Sequence, residues 1–505
     1  MEQLTKRILA IVLIAVVGTG IGVGAWFFLG QESSVPWKTP GVTGIPSNRW
    51  IKIGVLDDIG EIQGDHAYEG TWLAAYNINK AGGIDVNGTK YYIAVIAEDT
   101  DESAPQLDVT KGVAAAQKII SVDGAQYLMG GFRTEALKAY IEVVMDSKTL
   151  FFGTGAATDS FCENVVDGYS RYKYFFRTNP HNSSAMGKQI IYFMIYMAFF
   201  GIPMQAFYQG MGTDPTDAYY GTGIPGQKNS LNISKIAILR EDLDWTIPFA
   251  AAIKGSMPYP PSNVLEIAYP ITATSEQFIA YINSIQSFGA QICIPIISGQ
   301  GGIKMTKAYA DIEPNFQLLG VDVQSQTSEY WADTLGGCAY EIYSHGFAGL
   351  NNTNATPLSQ PFYDQYWAEF GHAPLYTGTG CYDSVYLLAD AIDSTNSFNE
   401  PALINYLESF DRNNPRVNLS VTVQKFAFTH ISEGFAGAHD VVADYPFGSI
   451  AYGQWQPVAN TTLGKQVCLP TGEGTPLAYY SIYPNALATG TLILAPWGIN
   501  GLFNL

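Results

Sequence analysis

Between Trp50 and Asp159 short apolar runs alternate with stretches of helical period, and this alternation limits the fold more than any other feature of the chain. Strands are predicted at Ile51 to Leu56, Tyr92 to Ala97, Tyr127 to Met129 and Leu150 to Phe152. Between them, the stretch from Ala67 carries Ala74, Ala75, Ile78 and Ala81 at helical spacing, and Val109 to Ile120 aligns Val113, Ala116, Gln117 and Ile120. Repeated strand, helix, strand implies a parallel sheet with both faces covered. In such sheets ligands sit outside the carboxyl ends of the strands, so the loops after Leu56, Ala97, Met129 and Phe152 matter most. Two of these, Gly130 to Thr134 and Gly153 to Thr158, offer glycine, hydroxyls and backbone amides, but no nucleophile beside a base.

Six fragments in this region occur in a telling order: IKIGVL at Ile51, INKAGGI at Ile78, VIAEDTDE at Val95, AAAQKII at Ala114, YLMGG at Tyr127 and FFGTGAATD at Phe151. They continue with RTNP at Arg177, KIAILRED at Lys235, FQLLGVD at Phe316, CYDSVYLLADAI at Cys381 and GQWQP at Gly453. In this register the chain resembles the extracellular solute-binding proteins of branched-chain amino acid ABC transporters, which have the type I periplasmic-binding fold of Leu/Ile/Val-binding proteins. The resemblance implies an α/β protein of two lobes, each a mainly parallel sheet flanked by helices. Residues 50–178 and 345–428 would form the first lobe, and residues 179–344 and 429–505 the second, with three crossings acting as a hinge. Further strands are expected at Ile236 to Leu239, Val264 to Ile267, Ile292 to Ile297 and Leu318 to Val321, with a helix from Ser275 to Ser287.

Composition narrows the function. A formal charge of -19 argues against a nucleic-acid partner, which needs clustered Lys and Arg. The 5 cysteines, Cys162, Cys293, Cys338, Cys381 and Cys468, form no C-x-x-C pair and are expected mostly as buried small side chains, with one or two disulfides as the alternative. Ile8 to Leu29, preceded by Lys6 and Arg7, has the length and polarity of a transmembrane helix that leaves the bulk of the chain outside the cell. A membrane anchor over residues 1–30 is therefore expected, with a cleaved signal peptide as the alternative. Residues 31–49, rich in Pro, Gly and Ser, are expected as a flexible linker. Sequons at Asn87, Asn182, Asn232, Asn351, Asn354, Asn418 and Asn460 suit glycosylation of an external protein. The apolar run from Ile190, interrupted by Gly201-Ile202-Pro203, is expected as a packed helix within an insertion over residues 190–230, not as a membrane span.

Enzymatic signatures are lacking. Gly221 to Gly226 satisfies G-x-G-x-x-G in letters only, since it follows no strand and has Pro225 where a helix would start. The acidic run Glu98 to Glu102 is expected as a solvated turn, and the histidines at 66, 181, 345, 372, 430 and 439 never fall at ligand spacing. No cofactor, metal or catalytic residue is expected. The resemblance instead implies a small ligand, an amino acid or related compound, delivered to an ABC permease. Carried over residue by residue, Thr134 or Arg133 would hold its carboxylate, Ala156 and Thr158 match an Ala-x-Thr whose backbone carbonyl and hydroxyl bind ligand, Trp245 would cover it, and Glu276 would pair with its ammonium; Asp322, after the strand LLGV, is a second candidate for that pairing. Gln63 stands where the family commonly presents an aromatic. A ligand sensor or an envelope or adhesion glycoprotein of the same fold remains the alternative.

Overall fold

The computed structural model describes residues 34–196, 233–257, 260–443, 447–448, 450–469 and 495. The expected anchor, the G-x-G-x-x-G run, Asn232 and most of the expected insertion lie outside the described residues. No helix among the described residues is long and apolar enough to cross a membrane.

The first sheet comprises β1 (Ser34–Lys38), β2 (Trp50–Asp57), β3 (Ile84–Val86), β4 (Thr89–Asp99), β5 (Tyr127–Gly130), β6 (Leu150–Gly153) and β7 (Phe175–Arg177). Its order is β1-β4-β2-β5-β6-β7 with β3 beside β4; β4, β2, β5, β6 and β7 run parallel, while β1 and β3 are antiparallel to β4. The second contains β8 (Ile236–Glu241), β9 (Val264–Tyr269), β10 (Ile292–Ile297), β11 (Gln317–Asp322) and β12 (Ile342–His345). A small hairpin, β13 (Arg416–Val417) and β14 (Lys425–Phe426), precedes β15 (Ala451–Pro457) and β16 (Gly464–Cys468), which close the second sheet in the order β16-β15-β12-β11-β10-β8-β9. Strands β9, β8, β10, β11 and β12 are parallel, and β15 and β16 antiparallel. The predicted strands all appear within a few residues of their expected ends. This is a two-lobed α/β fold with two mainly parallel sheets.

The central strands are apolar on both faces, as helix-covered parallel sheets require: Ile53, Val55, Leu128, Phe152, Ile238, Ile294 and Leu319 are all fully buried. Helices Ile62–Lys80 and Tyr376–Thr395 meet where Gly70 faces Gly378. A Cβ on Gly70 would lie 2.0 Å from the Gly378 carbonyl oxygen, so only glycine permits this approach. Helix Ser183–Tyr196 packs on Thr246–Ser256 and buries Ile190 and Ile191 completely, as expected of a lobe helix.

Three expectations need correction. Part of the linker is ordered: β1 pairs with β4, Trp37 packs against the first core, and Asn79 Nδ2 donates to Pro40 O at 2.8 Å. The acidic turn is not solvated, because Thr100 and Glu102 are fully buried. The change of lobe expected after Phe428 comes later, since Phe428 bridges Val441 and Arg177 bridges Asp440, holding the chain on the first lobe. All five cysteines are buried, and among the described residues none is joined in a disulfide.

Candidate functional site

The lobes meet across the carboxyl ends of their sheets and enclose a cavity of about 90 Å³. That is room for a few waters or for one small organic molecule. Polar contacts close its edges. Gln63 Nε2 donates to Ser298 O at 2.7 Å, and Gln300 Nε2 to Ser103 O at 3.2 Å. Glu135 Oε1 accepts from Asp244 N at 2.9 Å, and Lys138 Nζ reaches Asp244 Oδ2 at 2.7 Å. Ala157, Leu375 and Tyr376 of the first lobe join the apolar core of the second, so this is a closed state.

From the first lobe, the loops after β5 and β6 contribute Phe132, Arg133, Gly155 and Ala157. These loops touch each other closely: a Cβ on Gly155 would meet Gly131 O at 2.6 Å and Phe132 Cα at 2.7 Å. The Gly155 loop is held by Arg177, which is fully buried at the end of β7. Its Nε and Nη2 form a bidentate pair with Asp440 at 2.7 and 2.6 Å, while Nη1 donates to Thr158 O at 2.5 Å and Ala156 O at 3.4 Å. RTNP marked Arg177 in the sequence only by likeness. Its role rests on Asp440, 263 residues away, which no local pattern indicates.

The second lobe supplies bulk: Met186, Leu243, Trp245, Val321, Val323 and Ile450. Polar members are Ser298, Gln326, Ser344 and His345. Ser298 is fixed by the buried Glu241 carboxylate, which accepts from Ser298 N at 2.9 Å, Ser298 Oγ at 2.6 Å and Gly299 N at 3.2 Å. Burial pushes Glu241 up to about 7 and His345 down to about 4, so the imidazole is neutral at physiological pH.

The sequence-derived candidates divide. Arg133 and Trp245 line the cavity. Arg133 donates its backbone N–H to Glu102, its Nη1 to Glu102 O at 3.1 Å and Ala104 O at 3.4 Å, and its Nε to Glu135 Oε2 at 3.4 Å, which leaves Nη2 as the donor with no partner among the described residues. It stands before the first turn of helix Thr134–Asp146, where the backbone amides favour an anion. Thr134 is buried just behind it, with no partner for its hydroxyl among the described residues. The Trp245 indole N–H, also buried, has no acceptor among the described residues. Ala156 and Thr158 lie behind the wall that Gly155 and Ala157 form, held through their carbonyls by Arg177.

Glu276 and Asp322 are not brought to the cavity. Glu276 is exposed in the first turn of helix Ser275–Phe288, where a Thr274–Gln277 capping box sets the start and the dipole favours its charge. Asp322 is buried inside the second lobe, accepting from Tyr330 OH at 2.7 Å and Gln324 N at 3.0 Å. Among the described residues that line the cavity there is no aspartate or glutamate. Gln63 serves closure through Ser298.

One histidine grouping appears that spacing could not reveal. His66, Glu69 and His372 place ligand-type atoms within 4.8 Å of one another. Leu375 N donates to His66 Nδ1 at 3.0 Å, with Tyr366 OH 2.9 Å from the same nitrogen, so its lone pair already has a donor. The arrangement ties helix Ile62–Lys80 to the segment entering Tyr376–Thr395.

A family model described as periplasmic binding protein matches residues 51–430. No curated protein matches the chain. Solved structures share its fold at low identity. A putative branched-chain amino acid ABC transporter protein from Silicibacter pomeroyi is 16% identical, covers 88% of this chain and 99% of its own, and has a TM-score of 0.61. An ABC transporter solute-binding protein from Rhodopseudomonas palustris BisB5, in complex with 3,4-dihydroxybenzoic acid, is 16% identical with TM-score 0.56, covering 81% of this chain and 94% of its own. The substrate-binding protein LivJ from Streptococcus pneumoniae, in complex with isoleucine, is 15% identical with TM-score 0.54, covering 83% of this chain and 99% of its own. Two closed α/β lobes, an apolar cavity between them and the match over residues 51–430 together make this chain a member of the periplasmic binding protein family, whose members bind and do not catalyse.

Proposed function

We propose that this protein is the external solute receptor of an ABC importer, and that its ligand is a small carboxylic acid with an apolar, aromatic-sized body and no ammonium group. The carrying observation is the chemistry of the cavity wall. Arg133 and the amino terminus of helix Thr134–Asp146 suit a carboxylate, and Phe132, Trp245, Leu243 and Val323 suit a ring. A free ammonium would need a carboxylate, and the described lining has none. Proteins of this fold hold both 3,4-dihydroxybenzoic acid and isoleucine, so the fold admits either ligand type, and the wall chemistry supports the first. Closure buries the ligand, so binding energy appears as a shift from open to closed populations. An amino-terminal anchor would keep the receptor beside its permease.

Calorimetry on the purified chain tests this reading with 4-hydroxybenzoate and 3,4-dihydroxybenzoate against leucine and isoleucine. Saturable binding of the aromatic acids is expected, at least tenfold tighter than of the amino acids. The opposite order would overturn the aromatic reading and restore an amino acid ligand. Silence with all four would favour the sensor or adhesion alternative.

A further inference from the structure

A second concavity, of about 500 Å³, lies on the first lobe and shares no lining residue with the interlobe cavity. Helix Tyr376–Thr395 lines it with Tyr382, Tyr386, Asp390 and Asp393, and β13 adds Arg416. The two tyrosine rings lie 5.0 Å apart between centroids, and Tyr382 OH is held by Asn77 Nδ2 at 3.2 Å. Arg416 is locked in place: Nε and Nη2 reach Asp390 Oδ2 at 3.1 and 3.0 Å, and its guanidinium covers Tyr406 and Phe410. Tyr382 is buried beneath, and Asp390 is taken up by Arg416 and Tyr406 OH, so the half-buried ring of Tyr386 and the exposed Asp393 carboxylate are what the groove offers; a ring for the C–H face of a pyranose beside an acceptor for its hydroxyls is the chemistry of a saccharide site.

At the rim stands Asn418, exposed, with φ 57°, in the sequon Asn418-Leu419-Ser420. We propose that the occupant of this groove is an N-linked saccharide carried by Asn418 itself, folded back over Tyr386. The other described sequons differ. Asn182 is half-buried, donates to Asp440 Oδ2 at 2.9 Å and accepts from Ala185 N at 2.7 Å, so its amide is engaged. Asn87, Asn351, Asn354 and Asn460 are exposed and line neither concavity. Ser420 is 2% exposed and its hydroxyl donates to Asp383, so the acceptor sequence is sealed once this loop folds. Attachment therefore precedes folding. The inference rests on export of the chain and is independent of the ligand's identity.

The test uses the full chain purified from its own host. Glycopeptide mass spectrometry is expected to find a saccharide on Asn418 and none on Asn182. Asn418→Gly, which suits the left-handed backbone there, is expected to lower Tm of the glycosylated chain by about 2 °C. The same substitution is expected to leave Tm unchanged in chain made by a host without N-glycosylation. Tyr386→Ala, or the milder Asp393→Ala at an exposed position, is expected to abolish the effect of Asn418→Gly in the glycosylated chain. An unmodified Asn418 overturns the proposal. So does an Asn418→Gly response that is the same with and without glycan, or that survives both groove substitutions.

Discussion

The two lobes reach the cavity by different means. The first presents a glycine-rich backbone, the start of helix Thr134–Asp146 and one cation, on loops fixed by the buried Arg177–Asp440 pair. The second presents bulky apolar side chains, Leu243, Trp245, Val321 and Val323, on strand ends. Cationic charge is thus set on one side and apolar bulk mainly on the other. The teaching is that the first lobe's contribution depends on contacts distant in sequence, whereas the second lobe's depends on the size of individual side chains.

Arg177→Met should break this comparison most severely. It leaves Asp440 buried without its partner and frees the Ala156 and Thr158 carbonyls, costing about 3 to 5 kcal/mol; urea denaturation measures the loss, and a cost below 1 kcal/mol would show that the Gly155 loop is held otherwise. Asp383→Asn probes the first lobe from beneath the cavity. Burial raises Asp383 to about 7 although Val421 N and the Ser420 and Thr422 hydroxyls bond to it. Its folded value lies above the unfolded one, so the stability it contributes is full below about pH 4 and is lost as pH rises through about 7, a change of a few kcal/mol. The variant should flatten that fall between about pH 4 and pH 7, and an unchanged wild-type slope in the variant would remove Asp383 as its source.

Trp245→Ala sharpens the other half of the comparison. Loss of its cover should weaken the best aromatic ligand by about 2 kcal/mol, roughly thirtyfold; because the ring is buried against Phe249, the unliganded chain should also lose about 3 kcal/mol of stability, so affinity is compared at a temperature where both proteins are folded. Arg133→Gln should weaken a carboxylate ligand by about 1.5 kcal/mol while sparing its amide analogue, which calorimetry with the acid and the amide would separate. Glu276→Gln, far from the cavity on an exposed helix start, should leave affinity within about twofold, and a tenfold loss would put Glu276 back at the site.

The resemblance pointed to Arg133 and Trp245, and both line the cavity because they sit in the loops that follow β5 and β8, at the carboxyl ends of the sheets. Asp322, a candidate from its strand-end position, turns its side chain into the lobe toward Tyr330. Strand-end position alone does not say which way a carboxylate faces. Glu102 was read as solvated because acidic runs usually are. Instead Thr100, Tyr140 and the Arg133 amide supply it with donors, which makes burial tolerable. The ordered Ser34–Lys38 strand escaped notice because a proline- and glycine-rich stretch carries no period.

Alternating apolar runs and helical stripes were enough to specify two parallel sheets, since each such element must bury its own face and the right-handed crossover leaves few ways to connect them. Tertiary structure alone decided that Arg177 meets Asp440, that Gln63 reaches Ser298 across the cleft, and that no described carboxylate faces the ligand space. Periodicity is a local property of the chain. The charge and donors at a closed interface are sums over segments hundreds of residues apart, and they exist only once the lobes have met.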